Sequence, residues 1–171
     1  MNESFNIFLR PPEESDLHLL FEWENNKEFD EFTSLENSYT IDEIDAFIRS
    51  VKNIKENKQF RFMICQKELS QAIGTVDIYD IDFLEQKAGI GILIAKSEHR
   101  RKGYALQALE LTSLFAKDKI GLTSLFCEIR TNNINSQKLF EKAGFSSKSL
   151  RKNAYNIDSV PVDVYFYEKN I

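Results

Sequence analysis

Proline and glycine are scarce in this chain of 171 residues, which has three prolines and six glycines. This composition excludes collagen-like and low-complexity sequences, because both need many of these residues. Cysteine is scarce as well: Cys65 and Cys127 are the two present, and neither lies in a metal-ligand or CxxC spacing. The pair predicts buried, reduced thiols rather than a disulfide framework, and we expect no metal site.

Long apolar runs are also missing. No stretch of the sequence approaches the roughly 20 apolar residues that span a bilayer, and residues 1–4 lack the basic and apolar segments of a signal peptide. Hydrophobic residues nevertheless make up 42% of the chain, which is enough to build a buried core. We therefore expect one domain over residues 1–171, in the cytoplasm and without a membrane partner.

Positive charge is nearly absent from residues 22–45, where Lys27 is the one cation among nine acidic residues. The acids near Thr40 fit the first turn of a helix. Two interpretations of the remaining acids have equal weight: a solvated surface, or a site that attracts a cationic substrate. The candidate substrate-binding residues are Glu28, Asp30, Glu31 and Glu36. Because the whole chain is acidic, with a net charge of −5, we expect no nucleic-acid partner.

A short cationic loop joins a strand-like apolar run, residues 90–95, to a strongly helical segment. The loop consists of Arg100, Arg101, Lys102, Gly103, Tyr104 and Ala105. A helix N-terminus presents unpaired N–H groups, and glycine lets a ligand approach the backbone closely. The loop therefore predicts a site for a diphosphate-bearing cofactor. Walker and Rossmann glycine spacings do not occur.

Hydrophobic periodicity predicts an α/β (mixed α+β) fold. Three successive strands, at 60–66, 73–81 and 89–95, are predicted to form an antiparallel meander. A helix from residue 105 and a strand at 125–130 then form a strand-helix-strand crossover, which requires parallel pairing. With the strand at 5–9 and a C-terminal pair, we expect a central mixed sheet of six to seven strands, flanked by about four helices.

Two motifs in this order resemble the GCN5-related N-acetyltransferase superfamily over essentially the full chain. The loop at 100–105 is similar to the family's Gln/Arg-x-x-Gly-x-Gly/Ala pyrophosphate motif. Residues 133–145, Asn-Ile-Asn-Ser-Gln-Lys-Leu-Phe-Glu-Lys-Ala-Gly-Phe, are similar to its later Asn-x-x-Ala/Ser…Leu-Tyr-x-Lys-x-Gly-Phe signature. Trp23, Asn25 and Asn26 resemble the branch that contains spermidine/spermine and ribosomal-protein N-terminal acetyltransferases.

The resemblance implies acetyl-CoA as cosubstrate, held between the strands at 89–95 and 125–130. Main-chain groups of Ile92, Leu93 and Ile94 would pair with its pantetheine arm, and the loop at 100–105 would hold its pyrophosphate. Asn133 and Ser136 are implied to contact the pantetheine. A helix N-cap is an alternative role for Asn133 and is at least as well supported for Asn135.

The implied chemistry is direct attack of a neutral amine on the thioester, and here the sequence departs from the family pattern. Phe140 stands where many relatives carry a tyrosine that protonates the thiolate, and Gly89 begins the strand segment where some carry a glutamate base. Asp77 and Tyr165 are weak catalytic candidates in their place, and the true acid and base stay open. Further candidates are Asp80, Tyr155 and Tyr167.

The acidic segment and the branch resemblance together favour a polyamine such as spermidine as the acceptor. The N-terminus of a ribosomal protein and an aminosugar nucleotide are alternatives within the same enzyme class. A non-catalytic sensor of acetyl-CoA is an alternative of another class, because neither a family acid nor a family base is evident. The branch also suggests a homo-oligomer.

Overall fold

The fold was analysed in a computed structural model, which describes residues 5–29, 38–51, 53–157 and 159–171. The strands are β1 (Ile7–Arg10), β2 (Phe60–Gln66), β3 (Gln71–Asp82), β4 (Lys87–Ile94), β5 (Ser124–Arg130), β6 (Ser146–Ile157) and β7 (Val160–Asn170). The α-helices are α1 (Leu17–Glu24), α2 (Ile41–Ser50), α3 (Ile54–Asn57), α4 (Tyr104–Phe115) and α5 (Ile134–Lys142). These elements confirm the mixed α+β class.

The seven strands form one sheet in the order β1-β2-β3-β4-β5-β7-β6. Strands β1 to β4 pair antiparallel with their neighbours, as the predicted meander requires. Strand β5 pairs parallel with β4, because α4 carries the chain across the sheet between them. The C-terminal hairpin adds β7 beside β5 and leaves β6 at the edge.

Alternation along the strands divides the core between the two faces of the sheet. On β2, Phe62 and Ile64 lie in the cluster that also contains Ala108 and Leu109 of α4. Met63 and its alternate neighbour Cys65 lie in the opposite cluster, with Leu20 and Trp23 of α1 and with Ile44 and Ile48 of α2. The sheet thus has an α4–α5 face and an α1–α2 face. Both cysteines of the chain are buried and free.

A capping box starts α2, as the sequence predicts. The Oγ1 atom of Thr40 accepts a hydrogen bond from the N–H of Glu43 at 3.3 Å, and the Glu43 carboxylate accepts one from the N–H of Thr40 at 2.7 Å. Part of the acidic segment therefore stabilises a helix end. Acceptor binding must be argued from other carboxylates.

Candidate functional site

A cavity opens where the parallel pair β4–β5 comes apart. These strands pair only from Lys87 with Ser124 to Gly89 with Phe126. Beyond that point a cavity of about 740 Å³ lies between residues 90–92 of β4 and residues 126–130 of β5. β4 remains paired with β3 as far as Ile94, so the other edge of β4 faces the gap with main-chain groups that need partners.

The predicted pantetheine-binding residues follow this free edge. Ile92 lines the cavity, and Leu93 and Ile94 continue the same strand. Asn133 and Ser136, at the start of α5, also line the cavity. The structure therefore brings the edge of β4 and the start of the second motif to one cavity, although they are far apart in the sequence.

Asn133 is the N-cap of α5. Its side-chain oxygen accepts a hydrogen bond from the N–H of Ser136 at 3.1 Å. The sequence left this role open between Asn133 and Asn135, and Asn135 instead lies exposed inside the first turn. The cap fixes the orientation of the Asn133 side chain at the cavity wall.

The cationic loop at 100–105 leads directly into the N-terminus of α4. Gly103 is the N-cap of α4 with φ of +81°, a conformation that glycine adopts without the strain of a Cβ. Beside it, Arg101 and Lys102 have exposed side chains. The first-turn N–H groups of α4 have no acceptor within the helix, so they and the two cations can serve an anionic ligand.

The guanidinium group of Arg100 is already hydrogen-bonded within the protein. Its Nε and Nη2 atoms donate to the carbonyl oxygens of Ile94 and Ala95, each at 3.0 Å. The guanidinium group thereby ties the loop to the end of β4. The Tyr104 side chain also faces inward, because its ring is buried in the core and its hydroxyl accepts a hydrogen bond from Gln66 at 3.1 Å. For Tyr104, the main chain is what remains to contact a ligand.

Three aromatic rings form a continuous wall of the cavity. The Phe126 ring stacks on Phe166 with a centroid distance of 5.6 Å, and it meets Tyr79 edge-to-face at 6.1 Å. All three residues line the cavity. Burial raises the pKa of the Tyr79 hydroxyl, so this group stays neutral. The wall suits the methylene chain or the cationic end of an alkylamine.

Two carboxylates line the same cavity, that of Asp80, which is exposed, and that of Glu128, which is largely buried. Glu128 is the one held in place by other cavity residues. Its side chain is 16% exposed and accepts hydrogen bonds from Tyr155 and from Arg151 of β6. Burial, with the bond to Glu128, raises the pKa of Tyr155 to about 12. Tyr155 therefore keeps its proton at neutral pH and remains a donor to the carboxylate.

Gly89 explains why no base stands at the family position on β4. A Cβ atom at residue 89 would lie 2.2 Å from the nearest ring carbon of Tyr79, which faces Gly89 across the β3–β4 ladder. The aromatic ring of β3 therefore occupies the space that a side chain on β4 would need. In this chain, a carboxylate at the gap comes from β5 instead.

Replacement of Gly89 by alanine is expected to lower the free energy of unfolding by about 1–3 kcal/mol, because the methyl group overpacks the Tyr79 ring. Urea denaturation measures the change. In a Tyr79→Ala background the same glycine replacement should cost much less, since the clashing ring is gone. Equal costs in both backgrounds would contradict this account of Gly89.

Of the catalytic candidates named from the sequence, Asp80 and Tyr155 line this cavity, whereas Asp77 and Tyr165 do not. Asp77 receives hydrogen bonds from Nε and Nη2 of Arg61 at 2.6 and 3.0 Å. Tyr165 packs against the core on the α4–α5 face, the side of the sheet opposite Glu128. Their roles stay predictions. Phe140 lines the cavity, but its ring packs edge-to-face on Phe145 and has no proton to give.

Of the four acidic residues predicted to bind the substrate, the structure describes Glu28, which is exposed in a 3₁₀ turn. Asp30, Glu31 and Glu36 lie outside the described residues. Asn25 links the described residues on the two sides of residues 30–37. Its side chain donates to the carbonyl oxygen of Tyr39 at 3.0 Å and accepts from the N–H of Tyr39 at 2.8 Å.

Sequence analysis missed Glu128 and Tyr79 as site residues. A signal existed for Glu128, because the alternation along β5 places this carboxylate on the same side as Phe126, in the strand implied to border acetyl-CoA. No local pattern identifies the contact of Tyr155 with Glu128, since it joins residues 27 positions apart.

None of the helices in the described ranges is long and apolar enough to cross a membrane. Within those ranges, no group of three or more His, Cys, Asp or Glu side chains is placed to hold a metal ion.

Comparison with known families gives a match over most of the chain. Residues 6–146 match the model of the acetyltransferase (GNAT) domain. YoaA of Bacillus subtilis, an uncharacterized N-acetyltransferase, is 24% identical over 166 residues, covering 96% of this chain and 93% of its own. YjcK of the same organism, a probable N-acetyltransferase, is 25% identical over 160 residues, covering 90% of this chain and 88% of its own.

Solved structures share the fold at low sequence identity. The spermidine N-acetyltransferase of Vibrio cholerae, in complex with CoA and spermine, superimposes with a TM-score of 0.86 at 22% identity, covering 96% of this chain and 95% of that chain. A dodecameric structure of the Vibrio cholerae enzyme gives a TM-score of 0.79 at 22% identity, covering 96% and 94%.

Proposed function

The chain belongs to the acetyltransferase (GNAT) family and is an acetyl-CoA-dependent N-acetyltransferase, and we propose that its acceptor is a polyamine such as spermidine. The observation that carries the proposal is the cavity between β4 and β5, in which the shielded carboxylate of Glu128 lies beside a wall of aromatic rings. A protonated alkylamine needs both features: a negative charge for its ammonium group and an apolar surface for its methylene chain.

Acetyl-CoA would lie along the gap between the strands. The edge of β4 at Ile92 and Leu93, with the N–H of Ile94, would offer main-chain groups to the pantetheine amides, since the Ile94 carbonyl already accepts from Arg100. Asn133 and Ser136 border the same space. The pyrophosphate would meet the N-terminus of α4, Arg101 and Lys102. Arg100 would support this loop from behind, through its bonds to the end of β4.

Glu128 is the group that we assign to the acceptor's amine. At pH 7 only roughly one alkylamine in a thousand is neutral, because its pKa lies near 10. As the nitrogen bonds to the acetyl carbon and the carbon–sulfur bond breaks, the proton lost by the nitrogen must reach a base. Among the described residues that line the cavity, Glu128 is the carboxylate best shielded from water, which strengthens its hold on an ammonium group.

Support for a polyamine also comes from the Vibrio cholerae enzyme, a spermidine N-acetyltransferase solved with CoA and spermine, whose fold this chain shares. The acidic residues of the segment 22–45 would add long-range attraction for a polycation. In this proposal Glu28, Asp30, Glu31 and Glu36 steer the acceptor, while Glu128 holds the amine that reacts.

A thiol-release assay with acetyl-CoA tests the acceptor. We expect saturable, spermidine-dependent release, and kcat/KM for spermidine should fall at least about tenfold when the ionic strength rises from roughly 0.05 to 0.5 M, because salt screens the attraction between exposed charges. Butylamine, which has one charge, is the control and should show a much weaker salt dependence. Salt-independent kinetics with spermidine would contradict the steering role of the acids.

One observation favours a second acceptor class. Arg151 of the exposed edge strand β6 lines the cavity, and this cation would suit the diphosphate of an aminosugar nucleotide. The same assay distinguishes the two classes. Turnover of an aminosugar nucleotide without turnover of spermidine would replace the polyamine proposal.

Location and assembly belong to the proposal as well. We place the enzyme in the cytoplasm, where acetyl-CoA is available, and we propose a homo-oligomer. The dodecameric Vibrio cholerae structure supports assembly, and the edge strands β1 and β6 each have one side without a partner strand in the described sheet.

A further inference from the structure

The Glu128 carboxylate is already paired with a cation of the protein itself. Arg151, on the edge strand β6, forms an ion pair with Glu128 on β5 through its Nη1 atom. This contact crosses two strand positions in the sheet, since β7 lies between β5 and β6. The Arg151 guanidinium group is therefore in contact with the carboxylate that we assign to the acceptor's amine.

A large bulge in β6 makes this contact. Arg151 pairs with Val164 of β7 and Tyr155 pairs with Val162, so β6 has two more residues than β7 in the same interval. Within the bulge Asn153 has φ of +50°, and its N–H donates to the Asp163 carboxylate at 2.8 Å. The bulge thereby brings Arg151 and Tyr155 to the same carboxylate, as bulges often redirect side chains near functional sites.

The two partners of Glu128 differ in how readily they can leave. Tyr155 is partly buried and lines the cavity with its ring, which fixes its hydroxyl on the carboxylate. The Arg151 side chain is 56% exposed, whereas that of Glu128 is 16% exposed. An ion pair with one exposed, flexible partner contributes little to stability, so Arg151 can turn into solvent at low cost. Glu128 would then still keep the hydrogen bond from Tyr155.

We propose that Arg151 is a specificity-determining residue, which occupies Glu128 until a cationic acceptor displaces it. The proposal rests on the proposed function, because it requires an acceptor with an ammonium group. A neutral or anionic acceptor has no means of displacing the guanidinium from the carboxylate. The internal ion pair therefore gives the Glu128 carboxylate a partner while no acceptor is bound. Because only a cation can replace the guanidinium group, the same pair selects for cationic acceptors.

Replacement of Arg151 by alanine tests this competition. We expect KM for spermidine to fall about twofold to fivefold, the range for loss of one partly exposed competing ion pair, while kcat stays within about twofold. Arg151→Lys should restore most of the wild-type KM, because it keeps a cation in reach of Glu128. Lys152→Ala is the matched control: it removes the neighbouring exposed cation and should leave KM unchanged.

The alternatives give different results. A higher KM in Arg151→Ala would mean that the guanidinium binds the acceptor, and an unchanged KM would mean that it does not compete; either result overturns this proposal while the wild-type enzyme still acetylates spermidine. No spermidine turnover by the wild-type enzyme would instead refute the proposed function. Thermal unfolding of the variants checks that all of them are folded.

Discussion

Replacing Glu128 by glutamine is expected to lower kcat/KM for spermidine by about 100-fold or more, which is the usual contribution of a positioned acid or base. Glutamine has nearly the same shape, but it cannot take a proton and does not attract an ammonium group. The loss should appear in both kcat and KM, because the carboxylate serves binding as well as proton removal. The Kd for acetyl-CoA, measured by calorimetry, should stay close to the wild-type value.

A second glutamate–tyrosine pair in the chain provides the control. Glu141 of α5 accepts a hydrogen bond from the Tyr167 hydroxyl at 3.1 Å, and this pair is not part of the cavity lining among the described residues. Glu141→Gln should therefore leave kcat/KM nearly unchanged. If Glu128→Gln also kept wild-type activity, the proton would have to leave by another route, and the role assigned to Glu128 would be wrong.

Replacing Gly103 by glutamate should raise the Kd for acetyl-CoA on the order of 30-fold, equivalent to about 2 kcal/mol. The new carboxylate would stand at the N-terminus of α4, where the account places the pyrophosphate, and it would compete for the same N–H groups. Residue 103 also has φ of +81°, which any side chain makes less favourable. Calorimetric titration of acetyl-CoA measures the effect.

The opposite end of the same helical segment separates charge from strain. Gly121 follows the π-helical turn at Ala116–Ile120, has φ of +82° and has open space where a Cβ would be built. Gly121→Glu thus adds the same strain and the same charge, but away from the proposed phosphate site. An equal rise in Kd for both variants would show that the phosphate loop has no specific role.

Much of the fold could be predicted because its signals are local. The capping box at Thr40 and the alternation along β5 each depend on residues a few positions apart. The parallel pairing of β4 and β5 followed from one helical segment between two strands. These features were sufficient to locate the gap in the sheet.

The acceptor side could not be predicted because its contacts are distant in sequence. Glu128, Arg151 and Tyr155 meet only through the bulge of β6, and nothing in residues 146–157 reveals which strand faces them. Side-chain direction caused the other differences. Arg100 carries the charge that a phosphate site needs, yet its guanidinium group satisfies carbonyl oxygens at the end of β4.

A crystal structure of the enzyme with CoA and spermidine tests the central claim most directly. We expect the pantetheine arm to lie between β4 and β5. We also expect an ammonium group of spermidine to contact Glu128, and Arg151 to have moved away from this carboxylate. Spermidine bound elsewhere, with the Glu128–Arg151 pair intact and CoA in the gap, would contradict the assignment of the acceptor site.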